Sequence, residues 1–458
     1  MNMQLKFKAS KLIEALDFVS IVDPRALTAQ QNSAAYLFNC NRDKDGKPVC
    51  RIYSRGPDQV ARAGFELDEL DGEGLFTMPS THVSMLREIP DDTVTIEART
   101  ENKSDGEAFV VAVRSTSGTK YEHTTYDPRL ISPCDKDFET ALKSTPVEYN
   151  VGVLREALNM ARPFLPGTDK KGDVAEHFNT IQIFDQTNPD WAKGDGNLFC
   201  SDASRAFYFE FDDFKNKGFT IHMRHVGKLA DFLGKCEGVR IYHGPNQLNF
   251  AVNVNTVKTK DAEGKEQVEH VNGDQIFCWN AAIKAHTRYA YYSLSRDKYV
   301  IIAPKSTLLK ALKQAQILID QKQDRVKLYY THKNEQTGSH TIHFGTSESA
   351  GKIESFLVTT DDKKDAAGNV IEPSLEEDFD CYVNLDNFRS IIQDAIGNLV
   401  ELRISPIAKD EARPRGGAML RTIDEIPFDV NGKIVSMGDG SGTVRFKCKV
   451  TRFMPSTV

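Results

Sequence analysis

The sequence lacks the residue patterns that usually identify an enzyme. It contains no Gly-x-x-x-x-Gly-Lys-Ser/Thr loop, no His-Glu-x-x-His, no Gly-x-Ser-x-Gly and no Gly-x-Gly-x-x-Gly. The polar stretch Glu122–Asp127 follows strand alternation, which points neighbouring side chains to opposite faces. The segment Asp202–Arg205 is typical of a turn, with no base beside Ser204 to activate its hydroxyl. We therefore expect no catalytic residues and no enzymatic activity.

Cysteine is sparse and scattered, which argues against a metal centre. The eight cysteines form no Cys-x-x-Cys and no closely spaced Cys/His pair, whereas tetrahedral zinc sites need paired ligands at short spacing. We expect buried, reduced thiols, with no metal and no cofactor. The cysteines are Cys40, Cys50, Cys134, Cys200, Cys236, Cys278, Cys381 and Cys448.

Long hydrophobic runs are also missing. No stretch approaches the ~18 apolar residues of a membrane helix, and the first residues do not resemble a signal peptide. We therefore expect a cytoplasmic protein with no membrane partner. The net charge of −7 argues against a protein that grips nucleic acid over its whole surface. It leaves open a protein whose basic residues are concentrated on one face.

What is present is a repeat. A Leu-x-x-Ala-Leu phrase begins at Leu12, Leu154 and Leu308, each time after a short run of strand-forming residues. In the first copy Leu12, Ala15, Leu16 and Val19 share one face of a helix. A second phrase, again strand then helix then strand, interleaves with the first. Its copies are centred on Val83, Val226 and Leu385.

The repeat predicts an α+β chain of three similar domains, each with two strand–helix–strands units. A chain of 458 residues agrees, because a domain takes about 150 residues. We place the domains at 1–144, 145–294 and 295–458. Three loops rich in charge, Gly or Pro are predicted to be surface insertions. They lie at 255–272, 359–377 and 409–417.

Basic residues recur on the predicted helices, on faces opposite the apolar ones. A charged outer helix face is normally explained by exposure to solvent, and this explanation is sufficient for any single helix. Recurrence on nearly every helix favours a functional role. The residues are Lys11, Arg87, Arg155, Arg162, Lys228, Lys235, Lys310, Lys313 and Arg389.

These features together resemble the bacterial DNA polymerase sliding clamp, the β subunit of DNA polymerase III. Met3–Leu16 looks like the clamp's first strand and helix, and Phe76–Ser80 like the stretch before its second helix. His177–Phe184 is similar to the strand that follows the first helix of the middle domain. The family's Thr-Asp-Gly-His-Arg-Leu segment has an altered counterpart in Ser201–Ala206, and its Met-Pro-x-Arg-Leu ending in Met454–Val458.

The chain also departs from the family pattern. Arg288–Leu294 stands where the family has a Phe-Pro-Asp-Tyr linker, and Ala203–Ser204 replaces its Gly-His pair. These changes, together with the insertions, indicate a divergent clamp. A viral origin is one interpretation of that divergence.

The resemblance implies a DNA-clamp fold, with antiparallel sheets outside and helices lining a ring. It implies a non-enzymatic processivity factor, a homodimeric ring that encircles double-stranded DNA independently of sequence and tethers a DNA polymerase. Contacts to phosphates should then be few, weak and sensitive to salt. The implied DNA-facing residues are Arg25, in the loop after the first helix, and the helix cations named above. The implied location is the bacterial nucleoid, or the host cytoplasm for a viral protein.

The resemblance also implies two protein-binding surfaces. A hydrophobic pocket between the middle and last domains would bind short peptide motifs of the polymerase and the clamp loader. Ring closure would pair edge strands, placing Tyr121 and His123 opposite Ile317 and Leu318. Without the resemblance, Met454 and Pro455 would be assigned to an ordinary frayed terminus. The implied pocket residues are Phe178, Ser201, Arg205, Ala206, Asn384, Asn387, Met454 and Pro455.

Two alternatives stay open at the level of sequence. A clamp-like protein that does not close, acting as an interaction hub or as an inhibitor of a host clamp, would be a monomer with peptide binding intact. An enzyme of another class, such as a nuclease, would need clustered carboxylates, to which the sequence does not point.

Overall fold

The computed structural model describes most of the chain, and its contacts divide the chain into two compact units. Unit 1 comprises Met1–Leu158 and Arg224–Ile283, and unit 2 comprises Asn159–Met223 and Lys284–Val458. The three-domain division remains a prediction. The described residues are 2–22, 35–56, 59–103, 106–128, 142–166, 176–183, 198–202, 204–210, 219–243, 249–260, 266–278, 299–318, 325–331, 340–345, 356–359, 379–407, 417–435 and 444–455.

Six α-helices lie in the described ranges, and each begins within two residues of the end of a strand. The first phrase of the repeat falls on α1, α3 and α5, and the second falls at α2, α4 and α6. The predicted face of α1 is buried, because Leu12, Ala15, Leu16 and Val19 are at most 6% exposed. The helices are α1 (Ala9–Val19), α2 (Ser80–Met85), α3 (Val151–Ala161), α4 (Met223–Leu233), α5 (Lys305–Leu318) and α6 (Leu385–Gln393).

Unit 1 carries two antiparallel sheets. The first has the strand order β5-β1-β7-β8-β9, and the second the order β10-β15-β16-β17-β4-β3-β2-β6. In the second sheet β17 pairs with β4, which joins strands from two of the repeats. The strands are β1 (Asn2–Lys8), β2 (Ala35–Arg42), β3 (Pro48–Arg55), β4 (Gln59–Glu66), β5 (Glu69–Asp71), β6 (Gly74–Pro79), β7 (Thr93–Lys103), β8 (Gly106–Ser115), β9 (Lys120–Thr125), β10 (Val147–Tyr149), β15 (Val239–His243), β16 (Asn249–Lys260) and β17 (Glu266–Cys278).

Unit 2 repeats this plan. One sheet has the order β14-β11-β12-β13-β25-β24-β23-β18, and the other the order β21-β20-β19-β22. Here β13 pairs with β25, so strands of the predicted middle and last domains again share a sheet. The strands are β11 (Thr180–Ile183), β12 (Leu198–Ser201), β13 (Ala206–Glu210), β14 (Phe219–His222), β18 (Tyr299–Pro304), β19 (Arg325–Thr331), β20 (His340–Gly345), β21 (Phe356–Thr359), β22 (Phe379–Asn384), β23 (Leu399–Ile407), β24 (Gly417–Phe428) and β25 (Phe446–Pro455).

The cores lie between helices and sheets. The rings of Phe38 and Phe76 stack at 4.7 Å in unit 1, and those of Phe164 and Phe207 are 5.3 Å apart in unit 2. All six cysteines whose side chains are described are free, and five of them are buried. The expectation of buried, reduced thiols is confirmed for those five. No helix of the described residues is long and apolar enough to cross a membrane.

The predicted loop at 255–272 is wrong for most of its length. Residues 255–260 lie in β16 and residues 266–272 in β17, and the pairing runs from Val254↔Asn272 to Lys260↔Glu266. The β-branched residues Val254, Thr256, Val257 and Thr259 favour a strand, and they outweigh the charged residues that suggested a loop. The insertions predicted at 359–377 and 409–417 lie outside the described residues, apart from their terminal residues Thr359 and Gly417.

Candidate functional site

Three of the predicted DNA-facing cations lie near the end of α1 in unit 1. Arg87 forms an ion pair with the carboxylate of Asp17, and the Lys235 ammonium donates a hydrogen bond to the Asp17 carbonyl oxygen. The Arg155 Nη1 lies 3.8 Å from the position that a Cβ on Gly234 would take. Phe18 and Phe232 hold the ends of α1 and α4 together, with ring centroids 5.2 Å apart.

Carboxylates offset much of the charge in this cluster. Asp17 neutralises Arg87, and Glu156 Oε1 accepts a hydrogen bond of 3.1 Å from Arg155. Lys11 points elsewhere, because its Nζ binds Asp68 Oδ1 at 3.0 Å. This part of the predicted set therefore retains little net positive charge to attract a phosphate.

The remaining cations divide between the two units and the undescribed part of the chain. Lys228 is partly exposed on α4, and Arg162 is exposed in a 3-10 turn that follows α3. Arg25 lies outside the described residues.

A basic surface lies in unit 2, at an open depression of about 290 Å³ between α5 and α6. Lys310 and Lys313 line it from α5, and Arg389 lines it from α6. Leu309 and Gln393 also line it, and none of these five described residues is acidic. Three cations at a concave surface, with no carboxylate among its described lining residues, form a suitable site for a phosphate group.

Two features hold this depression in shape. The helices α5 and α6 pack on buried Leu308, Leu312, Phe388 and Ile392, which leaves the opposite faces outward. The Arg389 Nη1 donates a hydrogen bond of 3.2 Å to Gln316 Oε1, which ties α6 to α5. The predicted residues Lys310, Lys313 and Arg389 are therefore brought together.

The predicted peptide pocket is built on the sheet that joins β13 to β25. Ala206 pairs with residue 453 of β25, and Met454 pairs with Leu420 of β24. Ser201, Ala206 and Met454 are each at most 6% exposed, so they can form only the floor of a pocket. Phe178 is partly exposed in a 3-10 turn before β11, and the side chain of Pro455 lies outside the described residues.

Arg205 connects the β12–β13 turn to α6. Its Nη1 donates to Ser390 Oγ at 2.5 Å, and its Nη2 donates to the Pro163 carbonyl oxygen at 2.8 Å and to Asp202 Oδ2 at 2.7 Å. The guanidinium also lies 5.3 Å from the ring centroid of Phe164. Since its side chain is only 16% exposed, Arg205 joins the walls of the predicted pocket and offers little surface to a peptide.

The turn itself is held by Asp202. Its Oδ1 accepts hydrogen bonds from the backbone N–H groups of Ser204 and Arg205, at 2.9 and 2.7 Å. The Ser201 hydroxyl closes the turn by donating to the Arg205 carbonyl oxygen at 2.8 Å. The sequence-based assignment of Asp202–Arg205 to a turn is confirmed.

The two predicted asparagines serve the start of α6. Asn384 is the N-cap residue, and its Oδ1 accepts a hydrogen bond of 2.9 Å from the backbone N–H of Asn387. This bond satisfies one of the free N–H groups at the helix end. Both side chains are partly exposed, so their outer atoms remain accessible beside the pocket floor.

The predicted subunit interface contains an open strand edge. In the described part of the chain β9 has β8 on one side and no strand on the other. Tyr121 and His123 are partly exposed on β9. The predicted placement of Ile317 and Leu318 on an edge strand is wrong, because both lie in the last turn of α5, where Ile317 is 76% exposed. The side chain of Leu318 lies outside the described residues.

Several residues at these surfaces were missed by the sequence reasoning. Ser390 and Phe164 hold Arg205, and the ring of His82 lies 4.1 Å from that of His123. Each is far from its contact along the chain, and no local motif marks it. For Gln393 the helical spacing from Arg389 was an available signal.

Comparison with known proteins identifies the fold. No protein-family model and no curated protein matches the chain. The Caulobacter crescentus beta sliding clamp is 13% identical, with 100% of this chain and 99% of that chain covered and a TM-score of 0.62. The Pseudomonas aeruginosa sliding clamp, DNA polymerase III subunit beta, is 10% identical, with 100% of both chains covered and a TM-score of 0.62.

A third similar structure is the Helicobacter pylori beta clamp bound to a DNA ligase peptide. It is 13% identical, with 99% of this chain and 100% of that chain covered and a TM-score of 0.56. The chain therefore has the fold of bacterial beta sliding clamps over its whole length. The resemblance drawn from the sequence and the predicted α+β clamp fold are both confirmed.

Proposed function

We propose that this chain, which has the fold of bacterial beta sliding clamps, is a sliding clamp. It acts as a non-enzymatic processivity factor that encircles duplex DNA and tethers a DNA polymerase. The observation that carries the proposal is the basic depression between α5 and α6, where Lys310, Lys313 and Arg389 converge, in a chain that has this fold throughout. Its three domains are those assigned from the sequence, 1–144, 145–294 and 295–458.

DNA is held through phosphates, without reading of bases. Lys310, Lys313 and Arg389 supply the main contacts, since the described residues that line their depression include no carboxylate. Arg87, Arg155 and Lys235 contribute less, because Asp17 and Glu156 offset part of their charge. Each phosphate neutralised on duplex DNA adds about 0.9 to the slope of log affinity against log salt, so binding weakens steeply as salt is raised.

Partner proteins bind beside the C-terminal strand. The floor of this pocket is Ser201, Ala206 and Met454, and its rim includes Asn384 and Asn387. A short extended peptide with apolar anchors, carried by a polymerase, a clamp loader or a ligase, suits such a surface. The DNA ligase peptide on the Helicobacter pylori clamp supports this part of the proposal.

The ring closes with a second copy of the chain. Addition of a strand to the open edge of β9 would satisfy its unpaired backbone groups and cover Tyr121 and His123. Ile317 and Leu318 of the second copy would supply the apolar contact. We place the protein in the cytoplasm, at the nucleoid of a bacterium or in the host of a virus.

Retention on DNA of different topology tests the proposal. The protein is loaded with a clamp loader onto nicked circular DNA, and half of each sample is then cut once with a restriction enzyme. A sliding clamp stays on the circle at moderate salt and leaves the linear DNA through its ends. Equal retention on the two templates would contradict encirclement, because a protein that grips DNA directly does not need a closed circle.

The solution mass is the companion measurement. Light scattering after size exclusion should give about twice the 51.3 kDa of one chain. A mass of one chain at all concentrations, with no retention on circles, would replace the ring by a non-closing interaction protein.

A further inference from the structure

Behind the open edge of β9 lie two histidine rings in direct contact. The ring centroids of His82 and His123 are 4.1 Å apart, with an interplanar angle of 38°. His82 is on α2 and His123 is on β9, so this contact holds the helix against the edge strand. Tyr121 strengthens it, because its hydroxyl donates to the His82 carbonyl oxygen at 3.3 Å.

The ring of His123 is poorly placed to carry a positive charge. Both ring nitrogens of His123 and the Nδ1 of His82 are buried without a hydrogen-bond partner among the described residues. A neutral imidazole has one N–H, whereas a protonated one has two and a positive charge. Protonation would therefore bury a further unsatisfied donor beside a second imidazole, and both effects disfavour it.

Among the described residues, the groups that face His123 include no carboxylate that would offset such a charge. On β8 the residues opposite Tyr121 and His123 are Val113 and Val111, both buried. On β9 itself Lys120 and Glu122 are exposed and alternate with the inward residues. Glu122 pairs with Arg99, 2.9 Å away.

The described residues of α2, of the turn after it and of β6 likewise place no unpaired carboxylate beside the two histidine rings. On α2, which spans Ser80–Met85, His82 is the one titratable residue. Arg87 and Glu88 follow in the next turn, and Arg87 is paired with Asp17. From β6, Thr77 reaches β9 through its hydroxyl, 2.7 Å from the hydroxyl of Thr125.

We infer that the His82–His123 contact is an acid-sensitive latch, which releases α2 from the edge strand β9 when the His123 imidazole is protonated. The inference rests on the proposed function for its consequence, because β9 is the strand that would bind the second copy. Mild acid would then loosen the edge that closes the ring.

The direction of the effect follows from linkage. Burial, and secondarily His82, lower the pKa of His123 from 6.5 to about 4. With α2 released and His123 in water, the pKa would return to its ordinary value of about 6.5. The closed latch is thus fully stable above pH 6.5 and is progressively lost as the pH falls from 6.5 towards 4. At pH 5.5 the released state should be favoured about tenfold relative to neutral pH.

Hydrogen exchange followed by mass spectrometry tests the latch in the full chain. Peptides that cover 80–88 and 120–126 are followed at pH 7.5 and pH 5.5, with correction for the intrinsic pH dependence of exchange. We expect protection of β9 to fall about tenfold at pH 5.5, while the β24–β25 hairpin of unit 2 stays unchanged.

Variants separate the latch from general acid effects. His123→Phe keeps an aromatic ring at this position but removes the titratable group. In this variant the exchange protection of β9 should therefore be the same at pH 7.5 and pH 5.5. Glu122→Gln removes a carboxylate from the opposite face of the same strand and should retain the wild-type response. Protection of β9 that is independent of pH in the wild type, or a full response in His123→Phe, would overturn the inference.

The proposed latch and the proposed ring are tested by different measurements, so one can be refuted without the other. Exchange reports the latch in a monomer as well as in a dimer, so a solution mass of one chain would remove the ring and leave the latch measurable. A dimer whose β9 protection does not change between pH 7.5 and 5.5 would remove the latch alone.

Discussion

Replacement of Arg205 by alanine is the sharpest test of how the predicted peptide pocket is assembled. The guanidinium donates to Ser390, Pro163 and Asp202 and packs on Phe164. It thus connects the β12–β13 turn to α6 through a polar contact. Its removal should lower stability and also loosen the walls of the pocket.

The magnitude follows from what the substitution leaves behind. The side chain of Asp202 is 7% exposed and that of Arg205 is 16% exposed, so the pair is largely buried. Removal of one partner of a buried ion pair costs about 3 to 5 kcal/mol. Asp202 keeps its hydrogen bonds from the backbone N–H groups of residues 204 and 205, so we expect the lower end, about 3 kcal/mol.

Differential scanning calorimetry measures this loss. A unit of this size loses about 2 to 4 °C of Tm for each kcal/mol, which predicts a fall of roughly 6 to 12 °C in one transition. Arg205→Lys should lower the Tm by less than Arg205→Ala. Lysine keeps a positive charge beside the Asp202 carboxylate, but it cannot form the several hydrogen bonds of the guanidinium. The matched control is Arg114→Ala. The Arg114–Glu97 pair is 3.5 Å long with side chains 60% and 36% exposed, and its loss should cost less than about 1 kcal/mol.

A single outcome would refute the reasoning. If Arg205→Ala unfolds at the same temperature as Arg114→Ala, the pair contributes no more than a surface ion pair. Arg205 would then be available to a bound peptide, as the sequence-based assignment to the pocket lining implied.

Three further predictions concern charge and capping. Replacement of Lys310, Lys313 and Arg389 together by alanine should reduce the slope of log DNA affinity against log salt by about 1 for each phosphate that these side chains neutralise. Filter binding over a salt series checks this, and an unchanged slope, as expected for the control Lys433→Ala, would remove the depression from the DNA-binding surface. Asn384→Ala should lower the free energy of unfolding by about 1 kcal/mol through loss of the N-cap of α6, whereas Asn384→Asp should retain the cap. The urea midpoints of the two variants measure the difference, and equal midpoints would contradict the capping role. Arg452→Ala should cost about 3 to 5 kcal/mol, because it leaves the buried Asp424 carboxylate without its ion-pair partner. The double variant Arg452→Met/Asp424→Leu should recover most of that loss in the same urea assay, and no recovery would argue against an electrostatic cause.

Much of the fold could be predicted because its signals are local. The apolar spacing of Leu12, Ala15, Leu16 and Val19 specifies a helix face wherever the chain places it. The alternation around Tyr121 and His123 specifies a strand in the same way. Because each of the two phrases occurs three times, these local signals predict six strand–helix units along the chain. The loop predicted at 255–272 is wrong for a local reason too, because β-branched residues form the strands β16 and β17 despite the charged residues between them.

The assembly of the candidate sites could not be predicted, because it depends on contacts between distant parts of the chain. Arg205 was assigned to a pocket by likeness, but its bond to Ser390 spans 185 residues, and neither neighbourhood indicates it. The contact between His82 and His123 likewise depends on how α2 settles against β9.

By itself, the sequence determined which segments become strands and helices, where the repeated units lie and which helices carry basic residues. Only the tertiary structure decided which cations are neutralised, as Arg87 is by Asp17, and which converge, as Lys310, Lys313 and Arg389 do. The physical reason is one of range. Hydrophobic periodicity acts within a few residues along the chain, whereas charge pairing and burial act through space and exist only once the sheets have brought distant segments together.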